Sequence, residues 1–269
     1  AEENGVNYLF EASVGGGIPI IRPMSQCLIA NNIEGIAGIL NGTTNFILTK
    51  MIEDGMTFEA ALKLAQDNGY AEKDPTADIE GFDACRKVCI LASLAFGKHV
   101  YPNQVEAEGI TNITLEDVSY ISSVGGVIKL LGQIKYINDD KIAAFVSPAV
   151  VFHGSQLASV NGVFNAILVR GDAVGDVCFY GQGAGKLATA SAVVADMVDS
   201  AVHVERRINF GWSAGNEDYV VDEKATIEMP FYVRAKSSES KVKALLNDVK
   251  FLTRVGQPSD EVAFITDSM

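Results

Sequence analysis

An uncharged run of nine residues, "VCILASLAF" at positions 88–96, is the feature that most constrains the fold. It belongs to a helix predicted from about residue 81 to residue 96, and none of its faces carries a charge. A helical segment that is apolar all round is buried on every side. The chain has 269 residues, of which 48% are hydrophobic and 20% are charged, so it is long and apolar enough to build the core that such a helix requires.

Predicted helices and strands alternate along the rest of the chain. Apolar runs bounded by turn residues predict strands at 6–10, 33–42, 126–138, 141–152, 164–172 and 175–183. Capped patterns predict further helices at 18–31, 43–55, 57–69 and 186–202. Thr43 or Thr44 is the expected N-cap of the second of these helices, and Thr57 that of the third. The expected fold class is α+β, with a mixed sheet covered by helices.

The composition of the sequence changes near residue 205, where a polar connector without hydrophobic periodicity begins. We therefore predict one domain at residues 1–204, and a connector with a small tail at residues 205–269. The tail reads as strand, helix and two strands. The first five residues resemble the last turn of a helix, so we expect the chain to be cut from a longer protein.

Composition excludes several function classes. The net charge of −13 argues against nucleic acid and against an anionic membrane surface. No apolar run approaches the ~18 residues that span a bilayer, and the acidic start lacks the pattern of a signal peptide. The four cysteines lie in apolar surroundings without a metal-binding spacing, which favours buried free thiols in the reducing cytoplasm.

A charged cluster precedes the apolar helical run. Asp83 and Lys87 lie one helical turn apart, and Glu72 and Asp78 come from the loop before them. Such a pair is commonly a solvated surface pair that contributes about 0.3–0.5 kcal/mol. A lysine flanked by carboxylates at the edge of a core can instead hold a substrate and transfer a proton. The residues alone leave both interpretations open.

Two glycine-rich loops and three histidines give weaker signals. "VGGG" at 14–17 lacks the spacing of a dinucleotide fingerprint, and "YGQGAGKLAT" at 180–189 fails as a P-loop because Tyr180 and Leu187 replace the required Gly and Ser or Thr. Either loop could contact an anion, although tight turns explain the glycines equally well. The histidines are far apart, which argues against a zinc site or a catalytic triad.

Four motifs together resemble one known family. "FEASVGGGIPIIRP", "GILNGTTNFILTKM", "GYAEKDPTADIEGFDACRK" and "GQGAGKLATASAVVADMVD" look like the catalytic region of homoserine dehydrogenase, over residues 5–203 in the same order. The resemblance implies an oxidoreductase that interconverts L-homoserine and L-aspartate 4-semialdehyde with NAD or NADP. It also implies a homodimer and a place in the biosynthesis of threonine and methionine.

The resemblance also implies roles for residues of the charged cluster. Lys87 matches the proton donor or acceptor, and Asp83 is catalytic beside it. The positions that match the substrate pocket are Glu72, Asp78, Asp83, Tyr70, Gly42 and Thr43. The match further implies contacts of Gly69 and Gly185 with the nicotinamide cofactor. A monovalent cation, Na⁺ or K⁺, is implied at Glu11 and at the carbonyls of Val14, Gly16 and Ile18.

The chain departs from the family pattern in two places. The family begins with a Rossmann domain that carries GxGxxG, and this sequence has no such motif, so we expect a dehydrogenase truncated at its cofactor half. The tail resembles an ACT regulatory domain but has one predicted helix, so we expect it to be partial. A non-catalytic module that binds amino acids or directs assembly is the alternative function.

Because the GxGxxG unit supplies the pyrophosphate contacts, we expect this chain by itself to bind NAD or NADP weakly and to show no turnover. Isothermal titration calorimetry of the purified chain with each cofactor measures this. Tight binding of either one would contradict the prediction.

Overall fold

The main part of the protein is a seven-stranded sheet, in a computed structural model that describes residues 4–204, 210–211, 213–221 and 227–268. The strands are β1 (Ile33–Ile39), β2 (Glu106–Ala107), β3 (Gly126–Asn138), β4 (Lys141–Phe152), β5 (Phe164–Gly171), β6 (Gly175–Gln182) and β7 (Val220–Val221). Their order is β2-β4-β3-β1-β5-β6, and β7 also pairs with β4. The short strands β2 and β7 run parallel to β4, whereas the other pairs are antiparallel. The predicted mixed sheet is thereby confirmed.

The central position of β1 is what places the candidate site. This strand is hydrogen-bonded to β3 on one side and to β5 on the other, so its register is fixed from both sides. The chain leaves β1 through Leu40 and Asn41 and enters a helix at once. Both ends of that short connection are therefore held by regular structure.

Six helices accompany this sheet in the described part of the chain. They are α1 (Gly42–Glu53), α2 (Phe58–Asp67), α3 (Thr76–Ile79), α4 (Phe82–Phe96), α5 (Leu115–Ser122) and α6 (Lys186–Val202). Helix α1 packs against α2, β3 and β5, and α4 packs against β3 and β4. None of the described helices is long and apolar enough to cross a bilayer.

Helix α4 forms where the sequence predicts it and lies close against the sheet. Val88 and Leu91 are completely buried. In β3, a Cβ added to Gly132 would lie 2.5 Å from Cγ2 of Val88, so the glycine allows this close approach. The last turn, residues 94–96, is half-buried. Ile90 is half-buried as well, so the expected burial on every side holds only for Val88, Cys89 and residues 91–93.

The start of the chain differs from the prediction. Residues 6–10 form no strand, and Tyr8 is 68% exposed, because no described strand lies beside them to supply hydrogen bonds. The predicted helix at 18–31 is replaced by a short π-helical turn, Pro23–Cys27, which directly follows two α-helical residues, Ile21 and Arg22. The carboxylate of Glu11 accepts hydrogen bonds from the backbone N–H groups of Ile20, Ile21 and Arg22, and thereby caps this turn.

The tail is a three-stranded antiparallel sheet with the predicted single helix in its described part. Its elements are β8 (Tyr232–Lys236), α7 (Glu239–Leu245), β9 (Val249–Leu252) and β10 (Glu261–Thr266), in the sheet order β8-β10-β9. Asp117 of α5 accepts hydrogen bonds from Tyr232 Oη and Arg234 Nε at 2.9 and 2.8 Å. Glu261 accepts one from Tyr120 Oη at 2.9 Å. Side chains of α5 therefore fix the tail to the main part.

The connector between the two parts is only partly within the described residues. Strand β7 pairs with β4, and Tyr219 just before it is buried with the main core. Some of the chain beyond residue 205 thus packs on the first sheet. The domain boundary near residue 205 stays a prediction, and so does the ACT-like nature of the tail.

The cysteines are not uniformly buried. Cys85 and Cys89 lie within α4 and are buried, as expected, but Cys27 and Cys178 are exposed. The expectation is wrong for Cys178 because it lies on the edge strand β6, where alternate side chains face outward. Cys27 is exposed at the last position of the π-helical turn. All four are free thiols.

A buried lysine ties the sheet to the loop before β5. Lys129 of β3 is 1% exposed, and its Nζ donates to Val160 O at 2.6 Å, Asn161 Oδ1 at 3.1 Å and Asn45 Oδ1 at 3.2 Å. None of these acceptors is a carboxylate. Burial accordingly lowers the pKa of Lys129 to about 8.

Lys129 gives the free energy of unfolding a specific pH dependence. Between about pH 8 and 10.5 the unfolded chain holds a proton at this lysine that the folded chain has lost, so stability increases with pH in this window. Lys129→Met lacks this group, so its free energy of unfolding should not show the increase. Between about pH 8 and 10.5 we expect the wild-type protein to gain up to about 3 kcal/mol of stability relative to Lys129→Met. Urea unfolding at each pH measures this.

The control is Lys135→Met, which changes an exposed lysine on the same strand. A stability difference for Lys129→Met that stays constant with pH, or that follows the control, would contradict the prediction.

Candidate active site

The candidate site lies where β1, α1 and α4 meet the loop between α2 and α3. A single buried side chain, Asn41, connects these elements. Its Oδ1 accepts from the backbone N–H of Thr44 at 2.9 Å and so caps α1. Its Nδ2 donates to Asp78 Oδ1 at 2.7 Å and to Asp83 Oδ2 at 2.8 Å. One amide therefore starts a helix and holds two carboxylates from different elements together.

Lys87 and Asp83 point into this arrangement. Lys87 Nζ donates to Asp83 Oδ2 at 2.7 Å and to the carbonyl oxygen of Leu40 at 2.8 Å. The side chains are only 19% and 30% exposed. An ammonium group has three N–H donors, and the third has no acceptor among the described residues. The solvated surface pair is therefore the weaker interpretation, because this lysine is held from two sides with one donor left over.

A cavity of about 350 Å³ opens next to this pair. Nine residues from three segments line it, namely the loop after α2, helix α3 and helix α4, and they are Gly69, Tyr70, Ala71, Glu72, Asp74, Ala77, Asp78, Asp83 and Arg86. The carboxylate of Glu72 accepts no hydrogen bond from any described residue. A hydrogen bond from the Thr76 hydroxyl lowers the pKa of Asp74. The cavity is thus bordered by four carboxylates and one guanidinium group.

Tyr70 and its neighbours shape the wall of the cavity. The Thr43 hydroxyl donates to the carbonyl oxygen of Tyr70 at 2.7 Å. The ring of Tyr70 meets that of Phe46 edge-on at 5.0 Å. Gly69 ends α2 with a φ of +73°, a conformation that favours glycine. These contacts fix the loop that carries Glu72 against α1.

The second glycine-rich loop lies on the other side of α1. Gly185 is the residue before α6 and has a φ of +127°. A Cβ added to Gly183 would lie 2.0 Å from Asn165 Nδ2, and one added to Gly42 would lie 3.6 Å from Asn165 Oδ1. The buried amide of Asn165 therefore separates this loop from the first residue of α1. Neither of its polar atoms has a partner among the described residues.

The first glycine-rich loop contains the residues that match the cation site. Val14, Gly16 and Ile18 are buried, and their carbonyl oxygens accept no hydrogen bond from a described residue. The carboxylate of Glu11 is instead occupied by the three N–H groups that it caps. The described residues contain no cluster of three or more His, Cys, Asp or Glu side chains that could hold a metal ion.

The structure thus brings together Lys87, Asp83, Asp78, Glu72, Tyr70, Gly69 and Thr43. Gly42 follows Asn41 directly, Gly185 lies in the loop beyond Asn165, and Glu11, Val14, Gly16 and Ile18 form a separate loop. Sequence reasoning missed Asn41, Arg86 and Asn165. Asn41 was detectable, because an Asn directly before an apolar helix is a preferred N-cap. Arg86 was also detectable, because it lies in the same motif directly before Lys87. Asn165 carries no local signal, since only the tertiary fold brings it to α1.

Known proteins are similar to this chain in sequence. A sequence profile described as homoserine dehydrogenase matches residues 19–198, which is more than half of the chain. The chain belongs to the homoserine dehydrogenase family. The resemblance seen in the four motifs is thereby confirmed.

Individual homoserine dehydrogenases agree with the profile. The enzyme of Synechocystis is 48% identical over 202 residues, which cover 74% of this chain and 47% of that protein. A crystal structure from Thiobacillus denitrificans is 38% identical with a TM-score of 0.87, over 98% of this chain and 64% of that one. A hyperthermophilic archaeal homoserine dehydrogenase in complex with NADPH is 32% identical with a TM-score of 0.62, over 75% and 58% of the two chains. The chain spans about half the length of the curated relatives it matches.

Asn41→Ala should cost more stability than the loss of an ordinary helix cap. It removes the cap of α1 and also leaves Asp78 and Asp83 without their shared donor. We expect the free energy of unfolding to fall by about 2 kcal/mol or more, against about 1 kcal/mol for a cap alone. Thr57→Ala is the matched control, because Thr57 caps α2 and its side chain forms no other hydrogen bond with a described residue. Equal losses in urea unfolding would contradict the role given to Asn41.

Proposed function

We propose that this chain is the substrate-binding part of an enzyme that interconverts L-homoserine and L-aspartate 4-semialdehyde with NAD or NADP. The observation that carries the proposal is the ammonium group of Lys87, which is held by Asp83 and Leu40 O beside a cavity rich in carboxylates. Membership of the family supports it. The alternative, a non-catalytic amino-acid-binding or assembly module, gives no reason for the unused donor of Lys87.

The carboxylates of the cavity would bind the amino group of the substrate. The carboxylate of Glu72 accepts no hydrogen bond from a described residue, and Asp78 and Asp83, which each have one oxygen that no described residue donates to, line the same cavity. Tyr70, Gly42 and Thr43 would form the wall against the aliphatic part. Opposite charges at fixed positions orient the substrate before reaction and so reduce the entropic part of the barrier.

Lys87 would carry the proton. When bound, the nicotinamide cofactor supplies or accepts the hydride. As the aldehyde is reduced, the third N–H of Lys87 donates its proton to the forming alkoxide, and in the reverse direction Lys87 accepts a proton from the hydroxyl group. Asp83 orients the ammonium group through its 2.7 Å hydrogen bond. Catalytic roles for both residues follow from this proposal.

Gly69 and Gly185 are the proposed cofactor contacts of this chain. Both are exposed, and neither presents a side chain, so a planar ring or a phosphate can approach the backbone closely. Gly185 precedes the 17 residues of α6, whose N-terminal N–H groups favour an anion.

A monovalent cation is proposed at the first glycine-rich loop. The free carbonyl oxygens of Val14, Gly16 and Ile18 fit Na⁺ or K⁺, which take oxygen ligands. Glu11 would maintain the conformation of the loop through the N–H groups that it caps. Its negative charge also favours a cation nearby.

The remaining proposals concern the whole protein. We propose a cytoplasmic homodimer that acts in the biosynthesis of threonine and methionine. The three-stranded tail would be an ACT-like element. Family membership supports these assignments, and the contacts between α5 and the tail give the tail a fixed position from which to influence the enzyme.

In the enzyme that contains this chain, Lys87→Ala should reduce kcat by about 10²–10⁴-fold while the fold survives, because a positioned acid–base group contributes this much. Asp83→Ala should raise KM for homoserine and also reduce kcat, since Asp83 would hold both the substrate and the lysine. Steady-state kinetics with homoserine and each cofactor measure both effects.

Lys50→Ala is the matched control, because Lys50 forms an i,i+4 pair with Asp54 on the surface of α1. It should leave both the stability and the kinetics nearly unchanged, because solvent screens an exposed pair. A Lys87→Ala enzyme with wild-type kcat would refute the proposed mechanism.

A further inference from the structure

The substrate-binding scheme leaves one end of the amino acid without a partner. An amino acid carries an ammonium group and a carboxylate, and the side chains that line the cavity include four carboxylates. Those carboxylates suit the ammonium group and repel the carboxylate. Lys87 is not free to bind it, because two of its three donors are used and the third is reserved for the reacting oxygen.

Arg86 is the one basic residue among those that line the cavity. It makes no hydrogen bond or ion pair with any described residue, although Glu72, Asp78 and Asp83 line the same cavity. The other arginines in the described part of the chain, Arg22, Arg170, Arg234 and Arg254, each pair with a carboxylate. A guanidinium group that remains unpaired next to several carboxylates is available to an anionic ligand.

Helix α4 gives Arg86 a suitable position. Arg86 and Lys87 follow Asp83 at positions i+3 and i+4, so each of them is a neighbour of Asp83 on the helix surface, with ~5–6 Å between Cβ atoms. Helix α4 therefore places a carboxylate, a guanidinium group and an ammonium group within about one turn. Asp83 and Arg86 line the cavity, and Lys87 is hydrogen-bonded to Asp83.

We propose that Arg86 binds the carboxylate of the amino-acid substrate and thereby selects for an α-amino acid over the corresponding amino alcohol. The planar guanidinium group offers two parallel N–H donors to a carboxylate, a geometry that lysine does not reproduce. This assignment rests on the proposed function, and it adds a specificity-determining residue that neither the motifs nor the family match provides.

The test pairs a residue change with a ligand change. Arg86→Gln and Arg86→Lys are compared with the wild-type enzyme, and L-homoserine is compared with L-2-amino-1,4-butanediol, which lacks the carboxylate. For Arg86→Gln we expect KM for homoserine to rise about 10- to 100-fold, the size of a charge-assisted hydrogen-bond pair, with kcat changed by less than a few-fold. The KM for homoserine of Arg86→Lys should lie between that of the wild-type enzyme and that of Arg86→Gln. Binding of the diol, measured as competitive inhibition, should be unchanged in all variants.

Two further measurements separate binding from folding. The melting temperature should be unchanged in Arg86→Gln, because this side chain is exposed and has no partner to lose. Calorimetric titration of this chain with homoserine should show the same weakening as KM. Arg170→Gln is the matched control, since it removes an exposed arginine paired with Asp176 on β6, away from the cavity.

The outcomes distinguish this inference from the proposed function. If the wild-type enzyme neither binds nor oxidises homoserine, the proposed function fails. A second case is that the wild-type enzyme binds and oxidises homoserine while Arg86→Gln leaves KM for homoserine unchanged, or weakens binding of the diol as much as that of homoserine. Either result overturns the role of Arg86, and the proposed function stands. If Arg86→Gln raises only the KM for the cofactor, the proposed contact with the substrate is overturned as well. The guanidinium group is then assigned to a phosphate of the cofactor.

Discussion

The amide of Asn41 is the interaction on which the rest of the site depends. It caps α1, and its two N–H donors hold one carboxylate from α3 and one from α4. Two carboxylates that share a donor can lie close together, whereas without it they would repel each other. The strand before Asn41 is hydrogen-bonded on both sides, so the position of this amide is set by the sheet. The position of β1 thus determines the geometry of the candidate site.

The cavity combines an excess of negative charge with very few fixed cations. Lys87 is bound by a carbonyl and a carboxylate, and these two hydrogen bonds restrict the motion of its ammonium group. Among the described residues, Asp78 and Asp83 each retain an oxygen without a hydrogen-bond donor, and the carboxylate of Glu72 has none at all. An arrangement with spare acceptors and few donors is complementary to a cationic group. The ammonium end of the proposed amino-acid substrate would match it, and the carboxylate end would require a separate cation.

Periodic and capped segments were predictable from sequence, and contacts between distant segments were not. The strands β3 and β4 and the helices α1, α2, α4 and α6 have the predicted positions because their patterns are local. Residues 6–10 fail as a strand because a strand also needs a neighbour, which a local pattern cannot reveal. The charged cluster was visible in one motif. Its connection to β1 and α1 through Asn41 joins segments that only the fold brings together.

The glycines of "GQGAG" show how one motif combines two different requirements. Gly183 is needed for space, because its Cβ would overlap the buried amide of Asn165. Gly185 has open space around it but adopts a φ of +127°, which other residues avoid. An alanine at Gly183 would therefore push the loop away from α1, whereas an alanine at Gly185 would strain the entry into α6. The first change alters the separation between this loop and the first residue of α1, and the second alters the backbone N–H groups at the N-terminus of α6. The resemblance of this loop to a phosphate-binding motif thus arises from packing at one glycine and from backbone conformation at the other.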